Sequence, residues 1–359
     1  MVDRLRSTTP LNPTQESLRH RLLHTGRVRL HVAEQGEGPL VLLVHGFPEL
    51  WYSWRFQIPA IASAGYRAVA LDQRGYGRSS KFWQTDAYRI GELVRDLVDL
   101  VAALGERQAI LIGHDWGAPV VWSAAWLHPE VFRGVLGMSV PFAGRGLIGL
   151  PGNPFGERPP HEIHQALSGP GQDFYQVYFG TLGPVIDEIE EDLRGWVRDL
   201  MWSTSGDAMA ASGLSLDGAD PVELIRASAL CIPHGQRMRA RFATPERMPD
   251  WLTDADLDVF VDALEKGGLA GPLSYYRNLE NDWRDLAPMQ GRPLVVPAMF
   301  LGAQYDVGTW WGAEALERAP EHIPNWLGSR SLDGAGHWLQ QEKPRETNAV
   351  VLEFLRALR

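Results

Sequence analysis

Apolar residues along this 359-residue chain fall into two kinds of run. One kind is short and nearly continuous: GPLVLLVHG (38–46), YRAVALD (66–72), QAILIGHD (108–115), FRGVLGMSV (132–140) and LVVPAMFLG (294–302). Such runs, bounded by Gly, Pro or Asp, predict strands covered on both faces. Residues 28–33 and a shorter piece near 329–332 predict two more. The other kind has the helical period. Ile90, Leu93, Val94, Leu97, Val98, Val101 and Leu104 share one face between the strands at 66–72 and 108–115. WGAPVVWSAAWLH predicts a helix ending before Pro129, and Val351, Phe354, Leu355 and Leu358 mark a last one. Strand, helix, strand in succession requires a crossover, hence a parallel sheet.

The alternation stops at Pro141. From there to about Asp285 the chain is first rich in Gly and Pro (PFAGRGLIGLPGNPFGERPP) and then helical, with Ile186, Ile189, Leu193, Trp196, Val197 and Leu200 on one stripe. The pattern therefore predicts an α/β core from residues 1–140 and 286–359, a mostly parallel sheet flanked by helices, with an inserted helical cap over residues 141–285. No internal repeat or low-complexity tract interrupts it.

Composition narrows the classes of function. Lys plus Arg (34) against Asp plus Glu (44) leaves a net charge of -10, which repels nucleic-acid phosphates and anionic membrane surfaces. The first residues, MVDRLRSTTPLNPTQ, lack the apolar run of a signal peptide, and no stretch is long enough to span a bilayer. With Cys231 as the only cysteine there is no internal disulfide and no cysteine-based metal cluster. The expectation is a soluble, cytoplasmic protein without nucleic-acid partners. The sequence assigns no oligomeric state.

The candidate chemistry centres on GHDWGAPV (113–120). Asp115 stands where an acyl hydrolase built on a strand-to-helix turn carries serine. Asp is also a favoured helix N-cap, but a cap does not require small residues on both sides, and here Gly113 and Gly117 flank it. Asp306 (LGAQYDVGT) follows one predicted strand and His337 (DGAGHWLQQ) lies beyond the next, in the chain order nucleophile, acid, histidine. Taken singly they could be a turn residue and a loop histidine; together they should meet at the carboxyl edge of the sheet. HGFP (45–48) follows another strand, either as a plain turn or as the place where the Phe47 amide joins that of Trp116 in an oxyanion hole. SVPFAG (139–144), after the last strand before the insertion, carries no carboxylate.

HGFP, DQRGYGRSS (72–80), GHDWGAP, QYD and GHW at these spacings resemble the α/β-hydrolase fold epoxide hydrolases, from about residue 20 onward. The resemblance implies that fold, with its cap, and hydrolysis of an epoxide to a vicinal diol. It implies Asp115 as nucleophile, His337 as base and Asp306 as its orienting acid. FYQVYFG (174–180) and LSYYRN (273–278) resemble the segments carrying that family's ring-opening tyrosines, which correspond to Tyr175 and Tyr276, with Tyr178 and Tyr275 as neighbours. Any one of these tyrosines could instead be core packing. His114, Asp72 and Arg74 are expected in supporting roles.

A carboxylate is already ionised at neutral pH and attacks saturated carbon without a base, leaving an ordinary alkyl ester for a histidine-activated water to hydrolyse. No metal or organic cofactor is implied, and no HExxH or P-loop is present. The partners are water and a small epoxide, apolar given 14 Trp and 12 Phe. Two other readings compete. A haloalkane dehalogenase also attacks with aspartate, but its leaving halide needs no proton, and Phe47 stands where many carry Asn. A non-enzymatic binding module of the same fold would be expected to lose one of the three residues that are all present here.

Overall fold

The computed structural model describes residues 18–213 and 220–359. It opens on an antiparallel pair, β1 (Arg19–His24) and β2 (Arg29–Gln35). β1 is exposed everywhere but at Leu23, so no apolar run announces it; it is a charged edge strand, which resists pairing with other chains. Then follow β3 (Leu40–Val44), α1 (Gln57–Ser63), β4 (Arg67–Leu71), α2 (Ile90–Ala103), β5 (Ala109–His114), α3 (Gly117–Leu127) and β6 (Phe132–Met138). Among these only β1 and the short α1 lie outside the periods read from the sequence.

After β6 the chain leaves the sheet. It forms α4 (Pro160–Ser168), β7 (Gln172–Phe174), α5 (Tyr175–Gly180), α6 (Gly183–Glu191), α7 (Leu193–Ser203), α8 (Gly206–Ser212), α9 (Pro221–Ala227), β8 (Cys231–Pro233), α10 (Asp254–Gly267), α11 (Ala270–Ser274) and α12 (Leu279–Asp285). The stripe expected over 186–200 is divided: Asp192 departs from helical angles (φ -152, ψ 74) and its carboxylate accepts from the Gly195 amide to start α7. The segment is also not purely helical, because β7 and β8 pair antiparallel and extend their ladder by Tyr175 N–H donating to Leu230 O at 2.7 Å.

The sheet resumes with β9 (Ala298–Ala303), continues through α13 (Val307–Trp311), α14 (Ala313–Glu317), α15 (Ala319–His322), β10 (Trp326–Leu332) and α16 (Leu339–Glu342), and the chain closes on α17 (Pro344–Ala357). Eight strands form one sheet in the order β1-β2-β4-β3-β5-β6-β9-β10. β2 is antiparallel to both neighbours, and every pairing from β4 to β10 is parallel. β3 shows why its run is apolar throughout. Val41 and Leu43 pack with Ile58, Ile61, Val351 and Phe354 of α1 and α17, while Leu40, Leu42 and Val44 face the cluster holding α2 and α3. Among the described residues no helix is long and apolar enough to cross a membrane.

The turn from β5 into α3 is the tightest feature of the sheet edge. Asp115 has φ 49, a left-handed angle that costs a non-glycine residue on the order of 1 kcal/mol. The backbone closes around it so far that a methyl group on Gly117 would lie 2.0 Å from Val44 O, and one on Gly113 2.3 Å from Gly117 O. The two glycines are thus required by contact with neighbouring backbone, which cannot yield as a side chain would. Gly117→Ala is expected to lower unfolding free energy by about 1–3 kcal/mol through overpacking. Gly91→Ala, on α2 with open space at the new methyl, is expected to gain roughly 0.5–1 kcal/mol. Urea denaturation midpoints of the two variants and the parent test the contrast.

Candidate active site

Three strand ends converge. Asp115 follows β5, Asp306 follows β9 and His337 lies five residues beyond the end of β10, at the carboxyl edge where open α/β sheets gather functional groups. His337 Nδ1 is 2.8 Å from Asp306 Oδ1, and its Nε2 is 3.4 Å from Asp115 Oδ2. Asp306 is fully buried and also caps α13, accepting from the amides of Gly308 and Thr309 and from the Thr309 hydroxyl at 2.9 Å. Its carboxylate therefore cannot rotate away, and the imidazole it anchors keeps Nε2 toward Asp115. Phe47 N–H donates to Asp115 Oδ1 at 2.7 Å. Trp116, which precedes α3 directly, contributes one of the amides that a helix start leaves without an intrahelical partner.

The charges are strongly coupled. Burial alone would raise the Asp115 carboxyl, but the hydrogen bond and charge of His337, with help from His114 and the Phe47 amide, hold it below its ordinary value. Asp306 is lowered in the same way, burial being outweighed by His337 and by the Ser139 and Thr309 hydroxyls. Burial opposes the charged form of His337, yet the two carboxylates overcome it and raise the imidazole well above its usual value. Each of the three groups thus favours the charged form of the one beside it.

Over this edge lies an inner cavity of about 70 Å³, lined by Asp115, His337, Phe47 and Trp116 from below and by Tyr175, Phe179 and Tyr276 from the inserted segment. Through walls shared at Leu200, Thr204, Leu230, Met238, Val307 and Trp311 it adjoins a chamber of about 410 Å³. The structure separates the four tyrosines. Tyr175 and Tyr276 lie against each other, ring centroids 6.0 Å apart, and both face the cavity. Tyr275 donates to Arg74 O at 2.9 Å and Tyr178 donates to Glu188, so both hydroxyls are engaged outside it. Burial, then the nearby Asp115 charge, raises the Tyr175 and Tyr276 phenols, which keep their protons.

Other polar residues join the site that the motifs did not single out. Ser139, at the left-handed φ of 69, brings Oγ to 3.2 Å from His337 Nδ1. Glu49 Oε2 is 2.7 Å from His114 Nδ1, while His114 Nε2 is 2.7 Å from His337 O. Burial would raise Glu49, but His114 holds it low. Gln340 Nε2 donates to Glu49 Oε1 at 2.9 Å. Glu49 follows HGFP directly, and a carboxylate beside a buried turn is the one signal that could have marked it. His114, Asp72 and Arg74 have structural partners: Asp72 accepts from the amides of Trp51 and Arg78 and meets His31, and Arg74 pairs with Asp96.

The chain resembles known proteins along most of its length. Residues 39–167 match the family model described as alpha/beta hydrolase fold. The chain is 54% identical over 351 residues to Epoxide hydrolase B of Mycobacterium tuberculosis, covering 95% of this chain and 99% of that protein. It is 36% identical over 342 residues to Epoxide hydrolase A of the same organism, covering 94% and 97%. Among solved structures, an epoxide hydrolase from an endophytic Streptomyces superposes with a TM-score of 0.85 at 43% identity, covering 96% of this chain and 97% of that one. Identity of this extent, along nearly the whole length of both chains, shows that the chain belongs to the epoxide hydrolases of the α/β-hydrolase fold.

Proposed function

We propose that this epoxide hydrolase opens its substrate by attack of Asp115 Oδ2 on a ring carbon, with Tyr175 and Tyr276 donating to the epoxide oxygen, and then hydrolyses the resulting ester through His337. The observation that carries the reading is the shared cavity: an ionised carboxylate on its floor, two protonated phenols on its roof and an imidazole beside the carboxylate. Oδ1 is held by the Phe47 amide, which leaves Oδ2 as the attacking atom. In the second step water attacks Asp115 Cγ, and the negative charge develops on Oδ1, where Phe47 and the Trp116 amide can stabilise it. The diol leaves with Oδ2, and the water oxygen remains in the carboxylate.

The same charges time the two steps. While Asp115 is ionised it helps hold the extra proton on His337, so the imidazole cannot serve as a base. Alkylation removes that negative charge. Only Asp306 then favours the imidazolium, its pKa falls, and His337 gives up the extra proton and becomes available as a neutral base at the moment the ester needs it. The proton released can return an alkoxide or phenolate to its neutral form.

Residues 141–285 act in this scheme as a cap domain on a core made of 1–140 and 286–359. Phe47, Trp116, Phe179, Leu200, Met238 and Trp311 around the cavity favour an apolar epoxide over a charged one. The buried lone Cys231 suits a cytoplasmic setting.

A single turnover with enzyme in excess in oxygen-18 water tests the covalent scheme. Label should enter Asp115 and be absent from the diol, whereas label in the diol alone means direct attack by water. His337→Gln should still alkylate and accumulate an adduct of substrate mass in intact-protein mass spectrometry. In the parent, alkylation followed by stopped flow should stay nearly flat from neutral to mildly acidic pH, because Asp115 lies below its ordinary value. Hydrolysis of the ester should rise with pH to a plateau as His337 loses its proton.

The phenols have a separate test. Tyr175→Phe or Tyr276→Phe should slow alkylation, and the double change should approach the roughly 10²- to 10⁴-fold loss typical of a missing general acid. Tyr275→Phe and Tyr178→Phe should leave the alkylation rate close to the parent's. A double mutant that opens epoxides at the parent rate, in a protein that also releases halide efficiently, would favour the dehalogenase reading.

A further inference from the structure

One half-buried carboxylate near the site has no part in the scheme above. Glu342, the last residue of α16, lies beneath the loop that presents His337 and takes three backbone amides. Its Oε1 accepts from Trp338 N–H at 3.0 Å, and its Oε2 accepts from Gly336 N–H at 3.0 Å and from Gly206 N–H at 2.8 Å. Two of these amides flank His337 on either side. The third opens α8, in the inserted segment.

The contact between loop and segment is backbone against backbone. A methyl group on Gly336 would lie 2.3 Å from Gly206 N, and one on Gly206 2.6 Å from Gly334 O. Around it, His337 N–H donates to Thr204 O at 2.9 Å and the Trp338 indole donates to Met201 O at 2.8 Å. The loop is thus attached to the end of α7 and the start of α8 as well as to its own sheet. Among the described residues Glu342 forms no ion pair, so within the protein the cost of partly burying it is offset by amides. Burial pushes its carboxyl up to about 7 against the pull of those three donors.

We propose that Glu342 is a positioning residue for the second half-reaction: by spanning the amides on both sides of His337 it sets the imidazole relative to Asp115, and by taking the Gly206 amide it ties that setting to the cap. The inference rests on His337 acting as the base in the reading above. It predicts an asymmetry between steps. Alkylation depends on Asp115, which Phe47 holds independently, whereas hydrolysis requires His337 Nε2 to direct a water at Asp115 Cγ, and displacements of about 1 Å at such a group cost on the order of 10²-fold.

Three variants of the full chain test it with styrene oxide as the probe. Glu342→Gln presents an NH₂ group to at least one amide donor, Glu342→Asp keeps the charge but is too short to span the loop, and Gly206→Ala forces the cap amide away without altering the carboxylate. Ester hydrolysis in single-turnover rapid quench should fall about 10- to 100-fold in the Glu342 variants, less in Gly206→Ala, with alkylation altered under about 3-fold. The alkyl-enzyme should accumulate during turnover and be seen by mass. Hydrolysis at the parent rate in any folded Glu342 variant, or equal loss of both steps, overturns the inference; if neither folds, unaltered hydrolysis in Gly206→Ala does so. His337→Gln is the control. If it accumulates no ester the underlying reading fails, and if it does while the Glu342 variants do not, only the role of Glu342 fails.

Discussion

The arrangement of the site depends on a close backbone contact at the end of β5. Gly117 sits against the carbonyl of Val44 and Gly113 against that of Gly117, leaving no room for a side chain at either position. Gly46 adds a third constraint, since a methyl there would lie 2.1 Å from Asp115 Oδ1. These contacts hold Asp115 at a left-handed angle it would not choose alone. With β3 and β5 in register, from Val41 opposite Ile110 to Val44 opposite Gly113, the turn after β3 delivers the Phe47 amide to the same carboxylate. The local strain is sustained by strands buried on both faces, which cannot shift without opening the core.

Placing His337 between two carboxylates, one buried and one open to the cavity, has an electrostatic consequence that neither carboxylate would produce alone. Each lowers the energy of the imidazolium, and together they outweigh the loss of hydration on burial. Neutralising one of the two is then a change in the basicity of the third group. In the proposed mechanism the reaction itself makes that change, so one arrangement serves a step that needs no base and a step that does. The rigidity of Asp306, fixed by its own cap hydrogen bonds, keeps the remaining partner in place.

The inserted segment contributes differently. Its tyrosines are distinguished by what else their hydroxyls can reach: Arg74 O takes that of Tyr275 and Glu188 takes that of Tyr178, while Tyr175 and Tyr276 point over Asp115. Gln176 donates to the Tyr175 hydroxyl at 3.1 Å, which leaves the phenolic proton free to face the cavity. The attachment of this segment through Gly206, Thr204 and Met201 to the His337 loop means that the roof and the floor of the cavity share a boundary.

Much of this was legible in the amino-acid order. Continuous apolar runs at 38–46, 66–72, 108–115, 132–140 and 294–302 determined the doubly covered parallel strands, because burial on both faces leaves no position for a polar residue. The glycines around Asp115 and the resemblance carried by HGFP, GHDWGAP, QYD and GHW pointed to the family that the comparisons establish. What the sequence could not contain was anything decided by partners distant along the chain. The edge strand β1 exists through pairing rather than hydropathy, and the break at Asp192 follows from a capping bond that periodicity does not register. Which tyrosine of each pair faces the cavity depends on acceptors as far as 201 residues away. Ser139, Glu49 and Glu342 become neighbours of the site only when separate strand ends are brought to one edge. Local pattern reports how each segment is buried, and tertiary packing alone decides which polar atoms are left to meet.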